Sequence, residues 1–546
     1  MMAGPIRLNR KYSILSSAIC LGLVVVVYYM YCVGELPKFF SGNFNEGSLR
    51  QSKPLTETKD DEIALKSPKP PAATASLPVD YSPLTFSESQ QKCELFFTPA
   101  YLKHIATHQL PYCESESLSA FQCFTAPRLT TPMTGGWGQT DPLCIAQGVS
   151  FRPEQQTGSE QEFGIQCKLR DLAAERANSS DVATELEGFR DRPTDWGWYW
   201  GDTGVGASLK TWKFENSGDI EACTREKSDS KEWVMLMRRD STDTHNLWHK
   251  LMEILQARHS LDAVRIAINP ATGTPWLSDE DAAHVQLVFD DDREELLEPL
   301  WEIVTGKKPI RKSSWERAAC FGNVILPLPG CGSPFWSNLL DTGYPETCPS
   351  QTLLTTYVHR IFEFYGVVQR PVTEIHKHPT ITIVERKENR KFVALDRWVK
   401  SLKERYPQSP INVVDFASIT IQEQIKLAQS TDILVGHHGA AMTHIIFMAP
   451  GATAVEILPR HFDQHGFRSA AAMRGVNYIA GRCMHKEEYE NAVNGTPFPQ
   501  DWTPPTPQGF NHWQNEEWTY LTDEDFLGLV DAAVRSQMNK LGSSDS

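Results

Sequence analysis

The chain has 546 residues, of which 40% are hydrophobic and 22% are charged, so it is too long for one ordinary core and too apolar to be disordered throughout. Its formal net charge of -15 at pH 7 makes it a poor candidate for nucleic-acid binding, because an acidic chain repels the phosphates. We therefore expect two globular domains with appended segments, and no nucleic-acid partner.

The N-terminus predicts a membrane anchor. Residues 14–33 carry no charge and are long enough to cross a bilayer as a helix. Basic residues precede this run and Glu35 follows it, which places residues 1–13 in the cytosol by the positive-inside rule. A cleaved signal peptide is the alternative, but the run is longer than a signal core and no small-residue cleavage site follows. Residues 34–90, rich in Ser, Pro, Lys and Thr, are predicted to be a flexible stem below a lumenal body.

The cysteines agree with this compartment. Of twelve, all but Cys20 and Cys32 lie outside the predicted anchor, and none of the others has the CxxC spacing of a zinc site. We therefore predict disulfides and no structural metal, with the pairing left open. Two glycosylation sequons, beginning at Asn178 and Asn494, are consistent with a secretory-pathway lumen.

Helical and strand patterns alternate between about residues 230 and 330, which favours an open α/β sheet. Within a helix predicted over 242–258, Asn246, His249 and Glu253 share one face. His249 is suited to accept a proton from a hydroxyl, with Glu253 near enough to orient it. An ordinary amphipathic helix with a solvated face is the alternative. Further elements are predicted as strands at 231–240, 264–268, 285–289 and 324–328, and a helix at 293–304.

The run Asp290-Asp291-Asp292 has two interpretations. One is an acidic motif that binds a divalent cation. The other is a cap on the helix predicted to begin at residue 293, where acidic side chains favour the helix dipole. We favour capping because the three acids immediately precede that helix.

A second α/β block begins at Thr380. Its first predicted strand, 380–385, leads to Arg386 and Arg390, whose planar forks suit an anionic leaving group. A solvated basic turn is the alternative. The following elements are predicted as strands at 411–416, 432–436, 452–458 and 476–480, and helices at 420–429, 439–448 and 523–541.

The join between strand 432–436 and helix 439–448 carries His437-His438-Gly439-Ala440. At such a join, free backbone N–H groups and the helix dipole favour an anion such as a diphosphate. Glu456, in the next strand, is expected to accept hydrogen bonds from ribose hydroxyls, with a surface turn as the competing interpretation. These residues fall near C-terminal strand ends, where open α/β sheets bind ligands.

GHHGAAMTHIIFMAPGATAVEILP, from Gly436 onward, resembles the C-terminal signature of glycosyltransferase family 61. NLWHKLME is similar to the family's Asn-x-x-His motif, with Glu253 in place of an aspartate, and RKENRKF is similar to its Arg-x-x-x-Arg pattern. The resemblance covers roughly residues 230–460. It implies a GT-B-like α/β fold of two facing Rossmann-type lobes. We assign the acceptor-side lobe to 91–375 and the nucleotide-sugar lobe to 376–546.

The resemblance also implies a function. Family members are inverting enzymes that use a UDP-sugar, commonly UDP-xylose or UDP-N-acetylglucosamine, and the acceptor is expected to be a glycan or glycoprotein. His249 becomes the expected base, helped by Glu253. The substrate-binding residues are then expected to be Asn246, Arg386, Arg390, His438, Gly439, Ala440 and Glu456.

With two arginines to stabilise the diphosphate, no cofactor or metal is expected to be required. The protein is expected in the Golgi membrane, or in the endoplasmic reticulum, as a single-pass type II protein. Two alternatives stay open: a metal-dependent transferase that uses Asp290–Asp292, and a non-catalytic lumenal protein of the same fold that binds glycans.

Overall fold

The computed structural model describes residues 73–81, 95–127, 142–153, 162–197, 202–215, 223, 232–241, 244–337, 351–371, 376–460, 462, 464–497 and 516–543. The predicted cytosolic tail (1–13) and membrane anchor (14–33) lie outside these ranges. Within them, no helix is both long and apolar enough to span a bilayer.

The stem prediction extends too far toward the body. Residues 73–81 belong to the predicted stem (34–90), yet the Tyr81 side chain is buried and its hydroxyl donates to Asp262 Oδ2 at 2.7 Å. Thr74 also forms a β-bridge with Ala267. Residues 73–81 therefore pack against the body, because an aromatic ring and a backbone pairing anchor them there.

The larger sheet is mixed. It consists of β1 (Gln109–Pro111), β2 (Ala120–Thr125), β3 (Pro142–Phe151), β4 (Phe163–Gln166), β5 (Trp212–Glu215), β6 (Trp233–Met237), β7 (Gln286–Phe289), β8 (Ile310–Arg311) and β9 (Ala319–Leu326). The spatial order is β1-β2-β3-β9-β6-β7-β8, and β4 lies between β3 and β5. Pairs around β3 are antiparallel, whereas β6, β7, β8 and β9 pair in parallel. This lobe therefore departs from the Rossmann-type sheet that we predicted, because antiparallel strands extend it on one side.

Among the described residues, three disulfides link strands and loops of this first sheet. Cys123–Cys144 joins residues that lie directly opposite each other on β2 and β3. The other two are Cys113–Cys167 and Cys223–Cys320. They confirm the prediction of disulfides for these six cysteines and indicate that the body folds in an oxidising compartment.

The second sheet has five strands, all parallel: β10 (Ile381–Val384), β12 (Ile411–Val414), β13 (Ile433–His437), β14 (Thr453–Leu458) and β15 (Asn477–Arg482). Their spatial order is β12-β10-β13-β14-β15. A separate parallel pair joins β11 (Lys391–Phe392) to β16 (Trp518–Thr519).

Helices complete the layers. They are α1 (Pro99–Thr107), α2 (Leu172–Asn178), α3 (Ser180–Glu185), α4 (Val205–Ser208), α5 (Leu247–Ile266), α6 (Asp279–Ala282), α7 (Glu302–Thr305), α8 (Pro334–Ser337), α9 (Thr352–Tyr365), α10 (Leu395–Arg405), α11 (Ile421–Ser430), α12 (Gly466–Arg474), α13 (Lys486–Asn494) and α14 (Asp523–Ser543). Short 3-10 helices lie at Pro193–Asp195, Leu209–Thr211, Glu298–Trp301, Lys312–Ser314, Gly330–Gly332 and Phe416–Ser418, and a longer one at Ala440–Phe447.

Most elements of the second block agree with the predictions, including the capping box of Thr420 and Glu423 at the start of α11. Three predictions were wrong. Residues 264–266 end α5 instead of forming a strand, because a short apolar run in a buried helix looks like a strand. The helix predicted over 293–304 forms only from residue 298 onward, and the helix predicted over 439–448 is a 3-10 helix.

One hydrophobic cluster contains side chains from both sheets. It includes most of the apolar side chains of α5 together with Leu434 of β13, Met442 and Ile445 of the 3-10 helix, and Phe467 of α12. A second cluster covers the other face of the larger sheet. A third packs α10 and α14 on the other face of the five-stranded sheet. Helix α5 and the Ala440–Phe447 helix therefore lie in the same core.

Candidate functional site

The strand order of the five-stranded sheet marks where a ligand is expected. Numbered along the chain, β12-β10-β13-β14-β15 reads 2-1-3-4-5, the doubly wound order whose switch point lies between the first and third strands. Those strands are β10, which ends at Val384, and β13, which ends at His437. Arg386 lies two residues past the end of β10 and His438 directly follows β13, so both lie at the carboxyl edge where such sheets bind ligands.

Both predicted arginines approach Gly439. The backbone of Gly439 has φ +148°, a conformation that favours glycine. A Cβ atom at this position would lie 2.8 Å from Arg390 Nη1 and 3.4 Å from Arg386 Nη1. Arg390 Nη1 also donates to the His438 carbonyl at 3.0 Å. The structure therefore brings Arg386, Arg390, His438 and Gly439 together, and Ala440 follows as the first residue of the 3-10 helix.

The arginine pair is electrostatically suited to an anion. Burial lowers the pKa of Arg386 below its ordinary value. Burial, together with the charge of Arg386, lowers the pKa of Arg390 to about 10. Both guanidinium groups remain charged at neutral pH, although burial and mutual repulsion disfavour that state. An anion bound between them would relieve both penalties.

His438 is held by a buried carboxylate. Its Nδ1 lies 2.6 Å from Glu456 Oε1, and the Tyr478 hydroxyl donates to Glu456 Oε2 at 2.6 Å. Because an ionised carboxylate only accepts, Nδ1 of His438 carries the proton. The Glu456 side chain is fully buried and both its oxygens accept from protein groups. This placement does not support the ribose contact that we expected of Glu456, and it makes Glu456 the residue that orients His438.

The neighbouring histidines His437 and His444 have structural surroundings. Burial lowers the pKa of His437 to about 3 and that of His444 to about 4, so both are neutral. The His437 Nδ1 lies 2.9 Å from the His438 carbonyl. His444 stacks on Phe416 and its Nε2 lies 2.9 Å from Gln424 Oε1.

His249 has an aspartate partner that the sequence analysis missed. Its Nδ1 lies 2.8 Å from Asp240 Oδ2, and its ring meets the Trp336 ring edge-to-face at 4.2 Å. Asp240 lies three residues past the end of β6, and His249 lies in the first turn of α5. With Nδ1 donating to the carboxylate, Nε2 is the ring nitrogen that carries a lone pair and can accept a proton. An acid at the last residue of a predicted strand, 231–240, was the available signal.

Asn246 and Glu253 do not form a polar face with His249. Asn246 is the N-cap of α5, where its Oδ1 accepts from the Trp248 N–H at 3.0 Å. Glu253 points into the core: Oε1 accepts from the Asp240 N–H at 2.6 Å and Oε2 lies 3.0 Å from Lys250 Nζ. Burial raises the pKa of Glu253, although Lys250 opposes this shift. Glu253 therefore supports His249 through the backbone of Asp240, and the described contacts do not include the direct orienting contact that we expected.

The Asp290–Asp292 run takes part in ion pairs. Asp290 lies 3.1 Å from Arg238 Nη1 and 2.7 Å from Lys312 Nζ. Asp291 accepts from Arg239 Nε at 3.0 Å and from Arg293 Nε at 3.1 Å. Burial alone would raise the pKa of Asp291, but these arginines lower it to about 2.

No helix begins directly after these acids, so the capping prediction was wrong. Arg293 instead continues the network, since its Nη1 donates to the Asp240 carbonyl at 2.8 Å. Within the described ranges, no group of three or more His, Cys, Asp or Glu side chains is arranged to hold a metal ion.

Aromatic rings connect His249 to the turn at Gly439. The ring of Trp248, the residue before His249, packs edge-to-face against the Phe467 ring, with 6.2 Å between the ring centroids. The same Phe467 ring lies 5.4 Å from the His438 ring, which also contacts Phe462 at 4.6 Å. One phenyl ring therefore separates the start of α5 from the histidine of the five-stranded sheet.

Part of the chain that contains these residues matches a known protein family. Residues 237–455 match the family model described as Glycosyltransferase 61. These residues form a glycosyltransferase family 61 domain. The domain contains Asp240, His249 and both arginines, and it ends one residue before Glu456.

Named relatives match parts of the chain. EGF domain-specific O-linked N-acetylglucosamine transferase of Xenopus laevis is 29% identical over 188 residues, which is 34% of this chain and 35% of that protein. Beta-1,2-xylosyltransferase of Arabidopsis thaliana is 30% identical over 108 residues, 19% of this chain and 20% of that protein. The Drosophila melanogaster EGF domain-specific enzyme is 24% identical over 238 residues, covering 43% and 40%. In each of these three matches the chain spans less than half of the relative.

Proposed function

We propose that this chain is an inverting glycosyltransferase that transfers a sugar from a UDP-sugar, UDP-xylose or UDP-N-acetylglucosamine, to a hydroxyl of a glycan or glycoprotein. The observation that carries the proposal is the convergence of Arg386 and Arg390 on Gly439 at the switch point of a parallel sheet. Two half-buried cations beside a glycine turn suit a diphosphate, and the names of the relatives supply the two candidate donors.

In the proposed reaction, the acceptor hydroxyl oxygen attacks the anomeric carbon of the donor sugar as Nε2 of His249 takes the hydroxyl proton. Asp240 accepts a hydrogen bond from the Nδ1–H of His249, which keeps its proton, and the carboxylate stabilises the imidazolium that forms. The bond from the anomeric carbon to the diphosphate oxygen breaks, and UDP leaves with the electron pair. Attack opposite the leaving group inverts the anomeric centre, and His249 then releases its proton to solvent.

Arg386 and Arg390 have the matching role on the donor side. Negative charge grows on the diphosphate as the bond breaks, and fixed guanidinium groups in a partly buried site stabilise that charge without reorganising. His438, oriented by Glu456, contributes a further contact beside the turn. No step of this mechanism requires a divalent cation.

The surrounding architecture is part of the proposal. We assign the two sheets to the facing lobes of a GT-B arrangement, with the five-stranded sheet on the donor side. The three disulfides support a lumenal body, and the uncharged run 14–33 supports a type II anchor in the Golgi or endoplasmic reticulum membrane.

Thermal stabilisation tests the donor site. The full-length chain in detergent is melted with UDP, UDP-xylose or UDP-N-acetylglucosamine, each with and without chelator. A shift that survives chelation and disappears in Arg386→Ala is the expected result, because a ligand that binds only the folded state raises the melting temperature. A shift that requires a divalent cation would favour the metal-dependent alternative. No shift with any nucleotide would favour a glycan-binding protein and contradict the proposal.

A further inference from the structure

The C-terminal segment Glu516–Thr519 lies against the loop that carries Arg390. Its strand β16 pairs in parallel with β11, with Lys391 opposite Trp518 and Phe392 opposite Thr519. The pairing begins one residue earlier, since the Arg390 N–H donates to the Glu516 carbonyl at 2.7 Å. The chain thus returns, more than a hundred residues later, to the arginine beside Gly439.

Arg390 needs this support because its backbone is unusual. Its φ is +55°, in the left-handed region that a non-glycine residue rarely adopts. Such a conformation persists only where neighbouring structure holds it. The C-terminal segment holds it at both ends: Glu516 accepts from its N–H, and the Thr519 hydroxyl donates to its carbonyl at 3.1 Å.

The segment is itself fixed in place. Thr519 is fully buried, and the Lys391 N–H donates to the Glu517 carbonyl at 2.9 Å. The Lys391 ammonium lies 2.8 Å from the Glu517 carboxylate and 4.3 Å over the Trp518 ring. These contacts tie β16 to the Arg390 loop through side chains as well as backbone.

We infer that the segment Glu516–Thr519 is a part of the donor site, and that Thr519 is a positioning residue for Arg390. By fixing the backbone of Arg390, the segment determines where its guanidinium group lies, 3.0 Å from the His438 carbonyl and against Gly439. The inference rests on the proposed function for its ligand, a nucleoside diphosphate. The two hydrogen bonds that Glu516 and Thr519 make to the Arg390 backbone do not depend on that ligand.

The test compares two threonines in the full-length chain. Thr519→Val removes the hydroxyl that reaches Arg390 and keeps the side-chain shape. Thr522→Val is the matched control, because Thr522 Oγ1 accepts from the Asp525 N–H at 3.1 Å and donates to the Asp525 carboxylate, and no contact joins it to Arg390 among the described residues. Thr519→Ser restores the hydroxyl. UDP affinity and hydrogen exchange of the Arg390 and Lys391 amides are measured for each variant.

We expect Thr519→Val to weaken UDP binding roughly three- to tenfold, as one lost hydrogen bond does, and to speed exchange at both amides. Thr519→Ser should recover both readouts, and Thr522→Val should change neither. Equal UDP affinity and equal exchange in Thr519→Val and Thr522→Val would overturn the inference. If Thr519→Val does not fold, Thr519→Ser is compared with Thr519→Ala instead. Slower amide exchange and tighter UDP binding in the serine variant support the inference, and equal values in the two variants overturn it.

The two proposals fail separately. If the unaltered chain binds no UDP, the proposed function is contradicted, and amide exchange alone tests whether Thr519 holds the Arg390 backbone. If the unaltered chain binds UDP and Thr519→Val binds it equally well, the donor site stands and the positioning role of Thr519 is contradicted.

Discussion

The Asp240 carboxylate lies 2.8 Å from Nδ1 of His249, although the two residues come from the end of a strand and the start of a helix. Asp240 is in turn fixed through its backbone, with its N–H donating to Glu253 and its carbonyl accepting from Arg293. The His249 imidazole is therefore oriented by the Asp240 carboxylate, and hydrogen bonds to Glu253 and Arg293 fix the backbone of Asp240.

The pair leads to the first prediction. His249→Gln should lower kcat by roughly 10²–10⁴-fold, the usual contribution of a general base. Asp240→Asn keeps the shape but removes the negative charge beside the imidazolium, so its kcat should lie between those of His249→Gln and the unaltered chain. The donor KM should change little, because neither residue contacts the arginine pair. Initial rates of sugar transfer measure both parameters.

His359→Gln is the control for this experiment, since His359 is an exposed histidine of α9. It should leave the rate unchanged. Full activity in His249→Gln would remove His249 from the mechanism and leave the donor site intact.

The turn at Gly439 gives a second prediction. Gly439→Ala should abolish stabilisation by UDP, because its Cβ would lie 2.8 Å from Arg390 Nη1 and displace the guanidinium group. Gly366→Ala is the matched control, since Gly366 also has positive φ, +61°, but a Cβ there would meet nothing within 4 Å. Both variants should lose about 1 kcal/mol or more of stability from backbone strain. Only Gly439→Ala should stop responding to UDP in a thermal melt, and an equal response in both would contradict this assignment.

Glu253 gives a third prediction, on stability. Glu253→Gln removes the negative charge next to the fully buried Lys250 ammonium and weakens the acceptor of the Asp240 N–H. We expect a loss of about 1–3 kcal/mol in the free energy of unfolding, measured with urea. The kcat of the folded variant should fall far less than that of His249→Gln. A kcat loss as large as that of His249→Gln would indicate that Glu253 touches the reacting atoms after all.

Acid sensitivity is the fourth prediction. The pKa of folded His444 is about 4, whereas an unfolded histidine has an ordinary pKa of 6.5. Between these values the unfolded chain binds a proton that the folded chain does not, so lowering the pH through this window favours unfolding. His444 should contribute up to about 1.4 kcal/mol per pH unit to that loss. His444→Gln should reduce the slope of unfolding free energy against pH between 6 and 4.5, and His359→Gln should leave it unchanged. An unaltered slope in His444→Gln would show that folded His444 is not protected from protonation.

The cluster of Arg386, Arg390 and His438 at Gly439 was predictable because its signals are local. Arg386 follows one strand and His438 follows another, and parallel strands bring such residues to a common edge. His249 was singled out by its place in a predicted helix and by the resemblance of NLWHKLME to a family motif, whereas its partner Asp240 was not. The i, i+4 spacing of His249 and Glu253 is compatible with contact on a solvated face, whereas α5 is buried on nearly every side and turns Glu253 toward Lys250.

Other relationships have no local signal. The pairing of Thr519 with Arg390 joins residues 129 positions apart through a two-residue strand, too short to carry a pattern. The acidic run was misread for a related reason. The capping prediction assumed a helix at residue 293, whereas the two arginines that follow β6 and the neighbouring Arg293 pair with Asp290 and Asp291.

The core that joins the two sheets has a consequence for how the protein responds to heat. Because α5 and the Ala440–Phe447 helix bury side chains in the same cluster, neither sheet can lose its packing without exposing apolar surface of the other. The two sheets should therefore melt in a single cooperative transition. No thermal unfolding intermediate should keep one sheet folded while the other is unfolded. Inactivation on heating and loss of tertiary structure should coincide.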